Sequence, residues 1–209
     1  MKFRLTYSGP VKSSGNKPKP QNKHALRLAF HEQLSVLWTA KPVLRDFSEI
    51  EAPNLERAIS PDYAAIMKEG IAGEIPKKHP YSELLVKNHE EYGVKWHPLI
   101  TTENGLVCEL NILMLRPNDH KSVVQGGDID GRIKTIFDSL SIPTNGDVLS
   151  KFPPTPGVFH ILLSDDSLIS KVSVDTDELL QRDATHDKHH VQLIIEVSTR
   201  RRNEPFIRL

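Results

Sequence analysis

Regular alternation of apolar and polar residues predicts a β-strand near each end of the chain. In residues 2–7 the apolar side chains of Phe3, Leu5 and Tyr7 alternate with polar ones, and residues 191–199 repeat the pattern. A period of two places all the apolar side chains of a segment on one face of a sheet. We therefore expect two strands that each bury one face.

A basic loop and an amphipathic helix follow the first strand. Residues 8–21 are rich in Gly, Pro, Ser and Lys, a composition typical of loops. Asn22 is a suitable helix cap, and Leu26, Phe30 and Leu34 then recur at helical spacing. The first part of the chain is thus predicted to be strand, basic loop and helix.

The second half of the chain carries the most regular strand pattern and a second helix. Residues 106–114 alternate between apolar and polar positions, and we expect this strand in the middle of a sheet. Residues 128–140 carry an apolar stripe at helical spacing, with Asp130 where a helix cap belongs. Residues 158–163 form a short apolar segment typical of another strand.

Residues 39–104 interrupt this order. Prolines break the segment into short apolar stretches, with helices expected near residues 61–69 and 80–91. We interpret the whole segment as an insertion. Trp96 and Tyr92 are expected to cover the core, with contact to a partner as the alternative.

The order of the elements predicts the fold class. Strands and helices in this sequence imply an α+β domain, with helices packed on one face of a mostly antiparallel sheet. A chain of 209 residues suffices for one such domain with a proper core. We expect a single domain over residues 1–209, with residues 39–104 as a long insertion within it.

Composition narrows the class of protein. The chain has 38% hydrophobic and 26% charged residues, values of a folded globular protein rather than a disordered one. No apolar run reaches the length of a membrane helix, and the start lacks the apolar core of a signal peptide. The single cysteine, Cys108, excludes an intramolecular disulfide and is expected to be inert packing. We expect a cytoplasmic protein without a membrane partner.

Charge is balanced overall but divided along the chain. The formal net charge is +0, which argues against coating of nucleic acid by bulk electrostatics. Basic residues nevertheless gather near the N-terminus, where a local contact with nucleic-acid phosphates is expected, although solvated surface is an equally good explanation. The residues that we assign to such a contact are Lys12, Lys17, Lys19, Lys23 and Arg132.

Acidic residues at two points form the candidate metal site. Asp128 and Asp130 stand where a loop enters the second helix, and a further carboxylate comes from Asp165 or Asp166 after the strand at 158–163. Carboxylate oxygens are the ligands that Mg²⁺ prefers. Spacing alone also permits a simpler interpretation, in which Asp130 caps the helix, Lys134 is its ordinary partner one turn later, and the Asp pair forms a turn.

A family resemblance favours the metal site. The run D-I-D-G-R-I-K-T-I-F-D-S-L, followed by a strand and L-S-D-D-S-L-I, resembles the RusA family of Holliday junction resolvases, with its D-x-D-N-x-x-K and D-D-x-x-V motifs. The resemblance implies that Asp128, Asp130 and Asp166 are the catalytic metal ligands, that Lys134 is required, and that Asp165 supports the metal site. It also implies a homodimer that cuts branched DNA with Mg²⁺, or with Mn²⁺ in its place.

Other interpretations remain open. Gly131 stands where the family has asparagine, so a RusA-like module that binds DNA or protein without cutting is the first alternative. A metal-dependent nuclease for another DNA substrate, in a defence role, is the second. The histidines of the segment H-D-K-H-H, His186, His189 and His190, are expected to form a polar hairpin rather than a metal cluster. Glu196 is expected to face the surface.

Overall fold

The computed structural model describes residues 1–13, 20–49, 81–117, 128–144, 157–180 and 189–202. The helix predicted near residues 61–69 lies outside this part of the chain. The remaining predicted helices and strands are present, some with the predicted bounds and some with shifted ends, and elements that the sequence did not predict are added to them. In chain order they are β1 (Lys2–Pro10), α1 (Pro20–Ala40), α2 (Pro42–Glu49), α3 (Tyr81–Asn88), β2 (Glu90–Glu91), β3 (Val94–Ile100), β4 (Leu106–Arg116), α4 (Asp128–Leu140), β5 (Val158–Leu163), a 3₁₀ turn (Asp166–Leu168), β6 (Ile169–Glu178) and β7 (His190–Arg201).

The larger sheet has the strand order β1-β7-β4-β6. β7 pairs antiparallel with β1 and with β4, while β4 and β6 run parallel. The alternation seen in the sequence is confirmed, because Leu5, Ile112 and Ile195 are each at most 1% exposed. The central position predicted for β4 is also confirmed.

The smaller sheet has the order β2-β3-β5, and its main pair, β3 with β5, is parallel. The α+β class is therefore confirmed, but the expected single, mostly antiparallel sheet is replaced by two mixed sheets. Parallel neighbours need a long crossover connection. Along the chain, α4 and one strand of the other sheet lie between the two strands of each parallel pair. The alternation within a single strand cannot reveal which distant strand it pairs with.

Helix α1 joins the two sheets. Leu26, Phe30 and Leu34 are at most 1% exposed, and they belong to a core shared with the larger sheet, α4 and the ends of β3 and β5. The helix begins at Pro20 rather than after Asn22. The amide of Asn22 instead bridges the backbone of residues 10 and 12, in the orientation that its neighbours require.

Part of the segment interpreted as an insertion contributes to the folded body. Strand β3 pairs with β5, and Trp96 is 1% exposed, so its predicted place in the core is confirmed. Tyr92 is 52% exposed, and its hydroxyl donates to the carbonyl of Thr144 at 3.0 Å.

Cys108 is fully buried as expected, and this burial raises the pKa of its thiol to about 12. Within the described residues, no helix is long and apolar enough to cross a membrane.

Candidate active site on helix α4

The first turn of α4 carries the first acidic motif. The helix begins at Asp128, so Asp130 lies within the first turn and is not the cap that the spacing predicted. The side chain of Asp130 is exposed, and its Oδ1 accepts a hydrogen bond of 2.8 Å from the backbone N–H of Gly131. A carboxylate at this end of a helix is stabilised by the helix dipole.

One polar face runs along the whole of α4. Asp130, Lys134 and Asp138 follow each other at four-residue spacing and so share a side of the helix. Asp130 and Lys134 are exposed, while the side chain of Asp138 keeps 25% of its exposure. The opposite side is buried through Ile136 and Leu140. We call Asp130, Lys134 and Asp138 the α4 polar face.

The second acidic motif lies at the other end of α4. Ser141, just after the helix, bridges to Leu163 at the end of β5, and the chain then turns into the 3₁₀ segment. Asp165 and Asp166 are both exposed there. They line a cleft of about 180 Å³, which we call the aspartate cleft, together with Lys23, Arg27, Asp138, Ser141, Ile142, Pro143 and Thr144.

The two neighbouring aspartates have different local surroundings. Asp165 caps the 3₁₀ turn, and its Oδ1 accepts a hydrogen bond of 2.9 Å from the backbone N–H of Ser167. Hydrogen bonds from the side chain and the backbone of Ser167 lower the pKa of Asp165. Asp166 is the first residue of the turn and exposes its carboxylate. The backbone geometry thus gives Asp165 a structural role that Asp166 does not share.

Two basic side chains of α1 reach the cleft from the far side. Lys23 forms an ion pair with the carboxylate of Asp138, and Arg27 donates from Nη2 to the backbone carbonyl of the same residue. Arg27 is only 3% exposed. Burial lowers its pKa to about 10, against the opposing effect of Asp138. Sequence reasoning missed Arg27 and Asp138, although the four-residue step from Lys134 to Asp138 was visible in the helical run.

The residues predicted to contact nucleic acid differ in their location and exposure. Lys17 and Lys19 lie outside the described residues. The backbone carbonyl of Lys12 accepts a hydrogen bond of 3.0 Å from Oγ1 of Thr135, so Lys12 lies beside α4. Arg132, however, is 4% exposed, which differs from the open position that a phosphate contact requires.

The structure groups the predicted site residues in two places. Asp130 and Lys134 lie toward the first half of the polar face, whereas Asp165 and Asp166 line the cleft with Asp138. Asp138 follows Asp130 by eight helical positions, or about 12 Å along the axis. Over the residues that the structure describes, no three histidine, cysteine, aspartate or glutamate side chains converge closely enough to hold a metal ion.

The remaining predictions concern residues on β7. Glu196 lies on the face of the sheet away from the core, as expected, and forms ion pairs with Lys2 at 2.6 Å and Arg4 at 2.7 Å. The hydrogen bond from Lys2 is the main cause that lowers the pKa of Glu196. Nε2 of His190 lies 3.2 Å from the hydroxyl of Ser8, and His186 is outside the described residues.

Comparisons of this chain with known protein families, with curated proteins and with solved structures found no match. Fold and site geometry are therefore the basis for any functional proposal, alongside the motif resemblance.

Proposed function

We propose that this protein is a Mg²⁺-dependent endonuclease that hydrolyses phosphodiester bonds in branched DNA, with the Holliday junction as its substrate. The observation that carries the proposal is the polar face of α4. Asp130 and Lys134 are both exposed and lie one turn apart on the helix that begins at Asp128. This is the spacing of the RusA-like motif.

The donor chemistry fits a hard divalent cation. The proposed ligands are the carboxylates of Asp128 and Asp130 at the first turn and that of Asp166, with Asp165 in support, in the aspartate cleft. Because the two groups lie at opposite ends of α4, each would hold an ion of its own, and Mg²⁺ binds through one or two carboxylates while keeping several waters. Asp130 and Asp166 are exposed, so a metal ion can reach either carboxylate without displacing other side chains from the core. A bound divalent ion would activate water and neutralise charge on the phosphate, and Mn²⁺ is an alternative ion.

The basic residues have separate roles in this proposal. The ammonium of Lys134, one turn beyond Asp130, stabilises the charge that develops on the scissile phosphate. Lys12 belongs to the basic loop and lies beside α4. In this proposal the loop contacts backbone phosphates, which fix the position of the DNA without reading its sequence. A four-way junction presents two symmetric cleavage points, and a homodimer would serve both.

The decisive experiment is cleavage of a synthetic four-way junction in Mg²⁺. Asp130→Asn and Asp166→Asn are each expected to reduce the cleavage rate at least about 100-fold, because each loses a ligand charge. The matched control is Asp46→Asn on α2, since this carboxylate is 71% exposed and α2 shares no lining residue with the aspartate cleft. Full activity of Asp130→Asn would reject the catalytic assignment.

A module that binds DNA or protein without cutting is the second candidate. The observation in its favour is the separation of Asp130 from the aspartate cleft. Tight binding of a junction without metal, with no cleavage in Mg²⁺ or Mn²⁺, would select this candidate. Cleavage of single-stranded or linear DNA in preference to junctions would instead select a nuclease for another substrate.

A further inference from the structure

A second cleft opens on the smaller sheet, away from the α4 polar face. It has a volume of about 500 Å³. Helix α3 forms one wall, and the strands β3 and β5 form the other. Its charged lining is balanced, with two glutamates and two lysines. The lining residues are Ser82, Glu83, Val86, Lys87, Glu90, Lys95, His97, Val158 and His160.

Two histidines of neighbouring strands face each other in this cleft. His97 and His160 are register partners in the parallel pair of β3 and β5, and their Nδ1 atoms are 3.1 Å apart. The ring of His97 stacks on Trp38 at 4.2 Å between centroids. The backbone N–H of His160 donates to Nδ1 of His31 at 2.9 Å. The two imidazoles are thus held in place by groups outside the pair.

Both imidazoles are uncharged at neutral pH. Burial is the main cause that lowers the pKa of His97 to about 3, with further contributions from His160 and His89. Burial, followed by the proximity of His31, lowers the pKa of His160 to about 4. A neutral imidazole nitrogen is the form of histidine that binds metal ions.

The pair is retained at an energetic cost. His97 is 5% exposed, and its Nε2 has no hydrogen-bond partner in the described part of the chain. One proton shared between the two Nδ1 atoms leaves this Nε2 unsatisfied in either tautomer. An unsatisfied buried polar atom costs about 1–3 kcal/mol, and this cost remains whichever group the two Nδ1 atoms contact.

We propose that His97 and His160 form a binding site for a transition-metal ion of the Zn²⁺ type, with the Nδ1 atom of each as a ligand. Zn²⁺ binds imidazole nitrogen at about 2.0–2.1 Å, so two nitrogens 3.1 Å apart subtend an angle of about 98° at the ion. This angle lies between the octahedral and tetrahedral values.

The remaining coordination positions face the cleft. Within the described residues no three ligand-type side chains converge, so the two imidazoles are the protein ligands of the proposed site. Open zinc sites keep three protein ligands and one water; here water or a ligand in the cleft fills the other positions. Imidazole favours Zn²⁺, Cu²⁺ or Ni²⁺ over Mg²⁺. The proposed site is therefore independent of the carboxylates of α4 in both position and metal preference.

The test is a titration of ¹⁵N-labelled protein with ZnCl₂ at pH 7.5, followed through the histidine ring nitrogens by NMR. The Nδ1 signals of His97 and His160 are expected to shift and to saturate together. His160→Ala is expected to weaken Zn²⁺ binding at this site at least about tenfold, since it removes a direct ligand. The control, His190→Ala on β7, should leave the His97 and His160 signals responsive.

Two results would overturn the proposal. One is a set of Zn²⁺-induced shifts confined to other histidines in the wild-type protein. The other is unchanged Zn²⁺ affinity at His97 in His160→Ala. If the alanine variant fails to fold, His160→Gln keeps most of the volume and polarity at this half-buried position, and the same affinity comparison applies.

Discussion

The α4 polar face and the histidine pair differ in how they meet water. Asp130 and Lys134 are exposed on one helix, whereas His97 is 5% exposed and held between two strands and α1. An exposed carboxylate keeps its charge without a desolvation penalty and suits a hard, hydrated ion. A buried imidazole loses its charge and suits a borderline metal. The two regions therefore offer different kinds of ligand atom, carboxylate oxygen in one and neutral imidazole nitrogen in the other.

The two regions also differ in how they are assembled. The polar face needs only the period of a single helix, while the histidine pair requires two strands from distant parts of the chain to lie parallel in register. A perturbation of packing between α1 and the smaller sheet should therefore affect the histidines strongly and the polar face weakly.

The largest effect is acid destabilisation through the histidine pair. Unfolded His97 and His160 take up protons near pH 6.5, but the folded residues do so only near pH 3 and 4. Stability is therefore fully present above pH 6.5 and is lost as the pH falls toward 4, because the unfolded state binds more protons. Each tenfold difference in proton affinity is worth about 1.4 kcal/mol. The loss is therefore on the order of a few kcal/mol, most of it from His97, because solvent screens the partly exposed His160.

Urea unfolding at pH 7.0, 5.5 and 4.5 measures this loss. The slope of stability against pH should be shallower in His160→Gln than in wild type, and unchanged in the control His190→Gln. Parallel curves for all three proteins would show that the histidine pair is not the source of acid sensitivity.

The next effect concerns catalysis on the polar face. Lys134→Ala is expected to reduce Mg²⁺-dependent junction cleavage about 100-fold, or about 2.7 kcal/mol of transition-state stabilisation. Thermal stability should change little, because Lys134 is exposed. The rate is measured in single-turnover assays, with the exposed Lys171→Ala on β6 as the charge-matched control. A loss of stability equal to the loss of rate would point to a structural role instead.

A smaller effect is expected at the end of α4 that lines the aspartate cleft. Asp138→Asn removes the partner of Lys23 and the charge nearest to the buried Arg27, at an expected cost of about 1–2 kcal/mol in the free energy of unfolding. The exposed control, Asp46→Asn, should cost less than about 0.5 kcal/mol. Urea unfolding compares the two. If Asp138→Asn abolishes cleavage while Asp130→Asn does not, the metal site belongs in the aspartate cleft rather than at the first turn.

The smallest effect concerns DNA binding by the basic loop. Lys12→Ala removes one predicted phosphate contact, which should lower the slope of log K against log salt concentration by about 0.9 and weaken binding uniformly across sequences. Fluorescence anisotropy with a labelled junction at several salt concentrations measures the slope. An unchanged slope would place Lys12 outside the DNA interface.

Local features of the chain were predictable from its sequence, for reasons visible in particular residues. The strands β1, β4 and β7 and the helices α1 and α4 follow from apolar periods of two and of about 3.6 residues, and Leu5, Phe30 and Ile136 are buried accordingly. The neighbourhood of Asp130 and Lys134 follows as well, because a helix turn brings residues four apart together whatever surrounds it.

Tertiary structure alone decided the features that depend on contacts between distant segments. The parallel pairing of β3 with β5 brings His97 to His160, and the packing of α1 against α4 brings Lys23 and Arg27 to Asp138. The bridge between Ser141 and Leu163 placed Asp165 and Asp166 at the far end of α4 from Asp130. Periodicity states which face of an element is buried but not which element covers it, since any apolar surface of suitable shape satisfies the hydrophobic effect.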